Sequence, residues 1–139
     1  MMRMRTLPVV FVLLLACSAA YSQSLTEEFS FQIKDFKMDH QTQTNNLNIS
    51  ISYRYITNIQ KPDYPDFRWL AKDVETLLSN YPNKDDYWEI VNKQITSMLL
   101  NKYRGLTSVT CEIKVDPSSL IPYTRSSRVT RNRSNRKRT

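Results

Sequence analysis

Residues Asp85 to Gly105 read DDYWEIVNKQITSMLLNKYRG. Within them Tyr87, Val91, Ile95, Met98 and Leu99 recur at three- and four-residue intervals, the period of a helix with one apolar face. One carboxylate, Glu89, stands in the first turn, where the helix dipole favours negative charge. Asp86 and Glu89 also have capping-box spacing, Asp86 accepting a backbone N–H bond and Glu89 reaching back to the first turn. A carboxylate there is equally able to accept two parallel N–H bonds from a flat ligand. The spacing leaves both roles open, and they are compatible. Gly105, the only glycine of the chain, lies where a left-handed C-terminal cap is wanted.

Upstream, Phe67, Leu70, Val74, Leu77 and Tyr81 have helical spacing, Pro65 suits a first turn, and Pro82 cannot continue the helix. Before Pro62 the period is two. Phe29, Phe31 and Ile33 alternate with polar residues, as do Leu47, Ile49, Ile51, Tyr53 and Tyr55. The polar link from Asp39 to Asn46 suits a hairpin between two antiparallel strands. Downstream, Val109, Cys111, Ile113 and Val115 alternate again until Pro117. The expected fold is therefore α+β, in the order strand, strand, helix, helix, strand, with both helices on one face of an antiparallel sheet. From Ser118 the apolar period fades, and the segment from residue 124 to residue 139 is expected to be a disordered basic tail.

The first residues are set apart from this domain. Arg3 and Arg5 precede the apolar run LPVVFVLLLA at 7–16, which is too short for a membrane span, and Ala20 and Ser22 offer a small-residue cleavage site before Gln23. Residues 1–22 are expected to be a secretory signal peptide, with the folded domain at 23–123. The run ending at Cys17 also resembles a bacterial lipobox, so a lipid anchor on Cys17 is the minor alternative. Cleavage before Gln23 leaves Cys111 as the single cysteine, and no disulfide within the chain is then available. Its strand phase points to a buried thiol.

The 139-residue chain has a formal charge of +7, but that charge is localised. From Gln23 to Thr124 there are 11 Lys and Arg against 13 Asp and Glu. The remainder carries Arg125, Arg128, Arg131, Arg133, Arg136, Lys137 and Arg138 without an acid. Attraction to a polyanion, such as a sulfated glycan or an acidic surface, is thus expected of the tail. Asn48-Ile-Ser and Asn132-Arg-Ser are glycosylation sequons, meaningful only after passage through a secretory pathway.

The segment from Asp63-Tyr64 to Asp116-Pro117 resembles the tunnelling fold of dihydroneopterin aldolase and its relatives. In that family a D-Y element opens the first helix, and the second has the pattern E-x-L-A-x-x-I-A-x-x-L-L. Glu89, Val91, Ile95, Leu99 and Leu100 match it in register. The resemblance implies assembly of several copies around a tunnel, with ligands between subunits, and a pterin- or purine-like ring held by the carboxylate at Glu89. Asn48, Ser50, Ser52 and Arg54 would face the wet interior, although a solvated sheet face explains the same alternation.

The aldolase's catalytic groups are not in their places. Asp116 stands where its lysine is expected, with Lys114 two residues earlier, and Asp39, His40 and Gln41 stand where its glutamate is expected. His40, the only histidine, is expected to be solvated in the hairpin link. One histidine and one cysteine cannot form the three-histidine zinc site of the pterin synthases. No catalytic residue, metal or cofactor is assigned. Glu89, Lys114 and His40 are the candidate ligand-binding groups of an exported, homo-oligomeric binding protein. The alternatives are an aldolase-like enzyme using the displaced Lys114 and His40, or a secreted structural or matrix component.

Overall fold

The computed structural model describes residues 25–134. The leader, Cys17 and the basic residues Arg136, Lys137 and Arg138 lie outside the described residues. Two long strands, β1 (Glu28–His40) and β2 (Gln43–Tyr55), are followed by a 3-10 turn at Lys61–Asp63 and two helices, α1 (Phe67–Ser79) and α2 (Trp88–Lys102). Strands β3 (Leu106–Val115) and β4 (Arg125–Asn132) complete a four-stranded sheet of order β1-β2-β3-β4, each neighbouring pair antiparallel. No described helix is long and apolar enough to cross a membrane.

The alternating pattern fixes which sheet face meets the helices. Leu47, Ile49, Ile51 and Tyr53 of β2 and Val109, Cys111, Ile113 and Val115 of β3 are buried, against Leu70, Val74 and Leu78 of α1 and Val91, Ile95 and Leu99 of α2. Each such aliphatic side chain contributes about 1.5–3 kcal/mol by leaving water. The inner faces differ slightly from the sequence reading. Trp88 is buried where Tyr87 was expected, Tyr87 is 71% exposed, and Phe67 lies half-exposed against Phe29 and Phe31. Asp66 caps α1, its side chain accepting the Arg68 N–H at 3.0 Å.

The hairpin is tighter than expected. Only Gln41 and Thr42 connect the strands, both at positive φ (51° and 65°), the conformation of a two-residue type I′ turn. Upstream, β1 carries a bulge between Ile33 and Phe36, with Asp35 at φ 54°. The extra residue reverses the side-chain phase. Phe29, Phe31 and Ile33 face the helices before it, and Phe36, Met38 and His40 after it.

Two further expectations are corrected. Gly105 has no positive φ; α2 ends on Tyr103 in an extended conformation, so no left-handed residue is required there. The glycine is needed for close approach instead, because a Cβ at 105 would stand 3.0 Å from the carbonyl oxygen of Asp63 and 3.1 Å from Ile59 Cδ1.

Residues 125–132 are not a disordered tail but strand β4, and the folded domain extends past residue 123. The apolar period is weak because polar groups join β4 to α2. Buried Asn92 donates through Nδ2 to the carbonyl oxygens of Ser127 (2.9 Å) and Cys111 (3.0 Å). Arg131 donates to Thr96 Oγ1 and the Lys93 carbonyl, and Arg133 to the carbonyls of Leu100 and Tyr103 at the end of α2 and of Leu106 at the start of β3. Arg128 pairs with Glu112 across the open face at 3.4 Å. Helix C-terminal carbonyls lack intrahelical donors, which is why a nearby guanidinium orders this strand.

Candidate functional site

The loop between α1 and α2 sets the start of α2, and Asp86 organises it. Its carboxylate accepts the Tyr81 hydroxyl and the Asn83 amide, each at 2.6 Å, while its carbonyl oxygen accepts His40 Nε2 (2.8 Å) and Gln41 Nε2 (3.1 Å). The Gln41 N–H donates to the Lys84 carbonyl at 2.9 Å. The hairpin tip is thereby clamped to the α2 N-terminus.

This geometry displaces the capping box. The N-cap is Tyr87, without a side-chain cap bond, and Asp86 spends its oxygens on Tyr81 and Asn83. Glu89 is exposed in the first turn and makes no hydrogen bond or ion pair among the described residues. Among the described residues no donor competes with a ligand for its carboxylate oxygens.

His40 is not solvated: it is 1% exposed, with ring centroids 4.7 Å from Trp88 and 5.9 Å from Tyr81. The bulge in β1 is the cause, since it turns the even-numbered residues inward. Among the described residues His40 Nδ1 and Trp88 Nε1 are buried without partners. Burial first, and the Asp86 hydrogen bond second, push the Tyr81 hydroxyl up to about 12.

Lys114 is on the other side of the sheet. It stands exposed between buried Ile113 and Val115 and lines a recess of about 440 Å³ with Gln32, Lys34, Asn48, Glu112 and Asp116. The structure therefore brings His40 to the helix that carries Glu89, and places Lys114 on the helix-free face. Asn48 is tied into that face, its Nδ2 3.3 Å from both oxygens of Asp116 and its Oδ1 accepting the Asp35 N–H at 3.3 Å. Asn132 is exposed at the end of β4.

Other polar groups were hidden from the sequence reading. Asn92 Oδ1 and Arg125 Nε and Nη2 are buried without partners among the described residues. Asn92 sits within the apolar run of α2, and a buried amide there was the one available signal. Burial pushes the Cys111 thiol far above its ordinary range, so it stays protonated and unreactive. No group of three or more His, Cys, Asp or Glu suited to a metal exists among the described residues.

A scan against protein-family models finds no match, and a search of curated proteins finds none. Solved structures do match. A dihydroneopterin aldolase from Burkholderia thailandensis bound to guanine superposes with a TM-score of 0.61 at 10% identity, over 78% of this chain and 93% of that one. A Vibrio cholerae protein provisionally named a dihydroneopterin aldolase gives 0.56 at 8% identity, over 76% of this chain and 98% of that one. The α+β architecture is thus that of the tunnelling fold, reached by a divergent sequence.

Proposed function

We propose that this tunnelling-fold chain is a binding protein that holds a purine- or pterin-like ring through Glu89. The observation that carries the reading is an exposed carboxylate, without a partner among the described residues, on the first turn of a helix whose start is clamped by Asp86 and His40. A carboxylate held so accepts two parallel N–H bonds from an amino-pyrimidine edge, as guanine and pterins present. The guanine bound to a structure of the same fold supports this ligand class.

Binding is preferred to turnover because Lys114 and His40, the groups an aldolase-like reaction would use, belong to opposite sides of the sheet. The secreted matrix component remains the reading to adopt if no ring binds. Copies of the chain associate through the unpaired edges of β1 and β4, which closes the sheet as edges require. Residues 1–22 direct export, and the basic end attaches the protein to a polyanion through Arg136, Lys137 and Arg138, retention on heparin falling with salt. Arg125 is partly buried, and Arg131 and Arg133 are bonded within the fold.

The test is calorimetric titration of the mature chain with guanine and neopterin, beside Glu89→Gln. The expected result is saturable binding that the variant loses while its circular dichroism is unchanged. Equal binding by the variant overturns the assignment.

A further inference from the structure

Beyond the far end of α2, about 20 Å along the helix from Glu89, a recess of about 610 Å³ opens beside Trp69. Its walls include Pro62, Asp63, Tyr64, Trp69 and Arg104. That volume is in the range of small-molecule sites. We propose that this recess is a second ligand site, for a ring with an apolar face that carries a phosphate or sulfate group: that face, a nucleobase plane or the C–H face of a sugar, stacks on Trp69 and the anion pairs with Arg104.

The frame of the recess is fixed. Tyr64 donates to Glu27 at 2.6 Å and its ring packs 4.7 Å from that of Tyr55. The 3-10 turn lies close against Gly105, where a Cβ would stand 3.0 Å from the Asp63 carbonyl oxygen. Asp73 holds Lys102 at 2.8 Å and also accepts the Tyr103 hydroxyl. Asp66 is committed to Arg68.

What remains uncommitted defines the ligand. Trp69 is 65% exposed, an unusual position for a large ring unless something stacks on it. Neither the Arg104 guanidinium nor the Asp63 carboxylate makes a hydrogen bond or ion pair among the described residues, and both are exposed. A guanidinium grips phosphate and sulfate through paired N–H bonds. Asp63 supplies an acceptor for N–H or O–H groups at the edge of the ring. A nucleoside monophosphate and a sulfated sugar share this chemistry.

The experiment uses the mature Glu89→Gln protein, so the outcome is independent of the Glu89 site. It is titrated calorimetrically with AMP, with adenosine, and with a sulfated heparin disaccharide. Arg104→Gln and Trp69→Ala are added in turn, both at exposed positions that leave the core intact. The expected result is saturable binding of AMP or of the disaccharide, which identifies the source, weakened about tenfold or more by either substitution. Adenosine should bind more weakly than AMP and be indifferent to Arg104→Gln. No binding of either anion at millimolar concentration, or binding that both variants leave unchanged, overturns the proposal.

Discussion

The imidazole of His40 lies against the indole of Trp88, with centroids 4.7 Å apart, while its Nε2 donates to the carbonyl oxygen of Asp86 at 2.8 Å. One side chain from the end of β1 thus fixes the residue before the N-cap of α2 and the first residue of that helix. Glu89 follows immediately, so its position depends on a strand nearly fifty residues upstream. Histidine here positions a helix; it is sealed from solvent.

His40→Ala should therefore destabilise the fold by about 2–4 kcal/mol, through the cavity left beside Trp88 and the lost donor to Asp86. Urea unfolding followed by circular dichroism measures this. His40→Gln, which keeps a donor, should recover part of the loss. A change within 0.5 kcal/mol for His40→Ala, the size typical of surface substitutions, would show that the clamp is not structural.

The same clamp should respond to alkali. Burial and the Asp86 hydrogen bond raise Tyr81 to about 12 in the folded chain, from 10.0. A group whose folded pKa is raised contributes stability that is complete below the unfolded value and is lost as pH rises through the folded one. The Tyr81 contribution is accordingly present up to pH 10 and disappears between about 10 and about 12. Unfolding free energies measured across that window should fall more steeply for the native chain than for Tyr81→Phe. Parallel curves would mean that Tyr81 ionises as it does in the unfolded chain.

Gly105→Ala should cost about 1–3 kcal/mol by overpacking, since its Cβ would meet the Asp63 carbonyl oxygen at 3.0 Å, and a backbone atom moves less readily than a side-chain end. Thermal unfolding checks the sign and size. An unchanged midpoint would show that the 3-10 turn shifts without strain.

Much of the fold was legible because β2, β3 and the helix faces obey simple periods, and those positions are the buried ones. The misreadings have a common physical origin, in that each concerns a residue whose place is set by something other than apolar periodicity. The odd-numbered phase of Phe29, Phe31 and Ile33, extended through β1, turns His40 outward; a single bulged residue turns it inward. Asp86 and Glu89 have the spacing of a capping box, yet Tyr81 and Asn83 compete successfully for the Asp86 oxygens. At Gly105 a contact between distant segments replaces the expected left-handed turn. Glu89 becomes a candidate from its register in α2 alone, whereas nothing in the sequence singles out Trp69, because an exposed indole on a helix becomes notable only when a recess is seen beside it.

Strand β4 was the largest omission, and it supplies the sharpest test. Arginine-rich sequence with one buried serine and a half-buried valine has little to gain from water exclusion, so sequence composition reads it as unstructured. Its stability comes from backbone pairing along β3 and from bonds to α2 that only the folded chain provides. Asn92 and the carbonyls of Leu100, Tyr103 and Leu106 all lose partners if β4 is removed. Truncation after Thr124 should thus expose the edge of β3 and leave polar groups of the interior short of partners, each at about 1–3 kcal/mol, which summed over several is comparable to a small domain's whole margin. Truncation after Ser134 keeps every one of these bonds. The expected outcome is an aggregated or unfolded product from the first truncation and native circular dichroism from the second. Arg133→Ala should fall between them, weakening the fold by about 1–3 kcal/mol in urea. A soluble, cooperatively unfolding chain ending at Thr124 would return residues 125–132 to the status of an appendage.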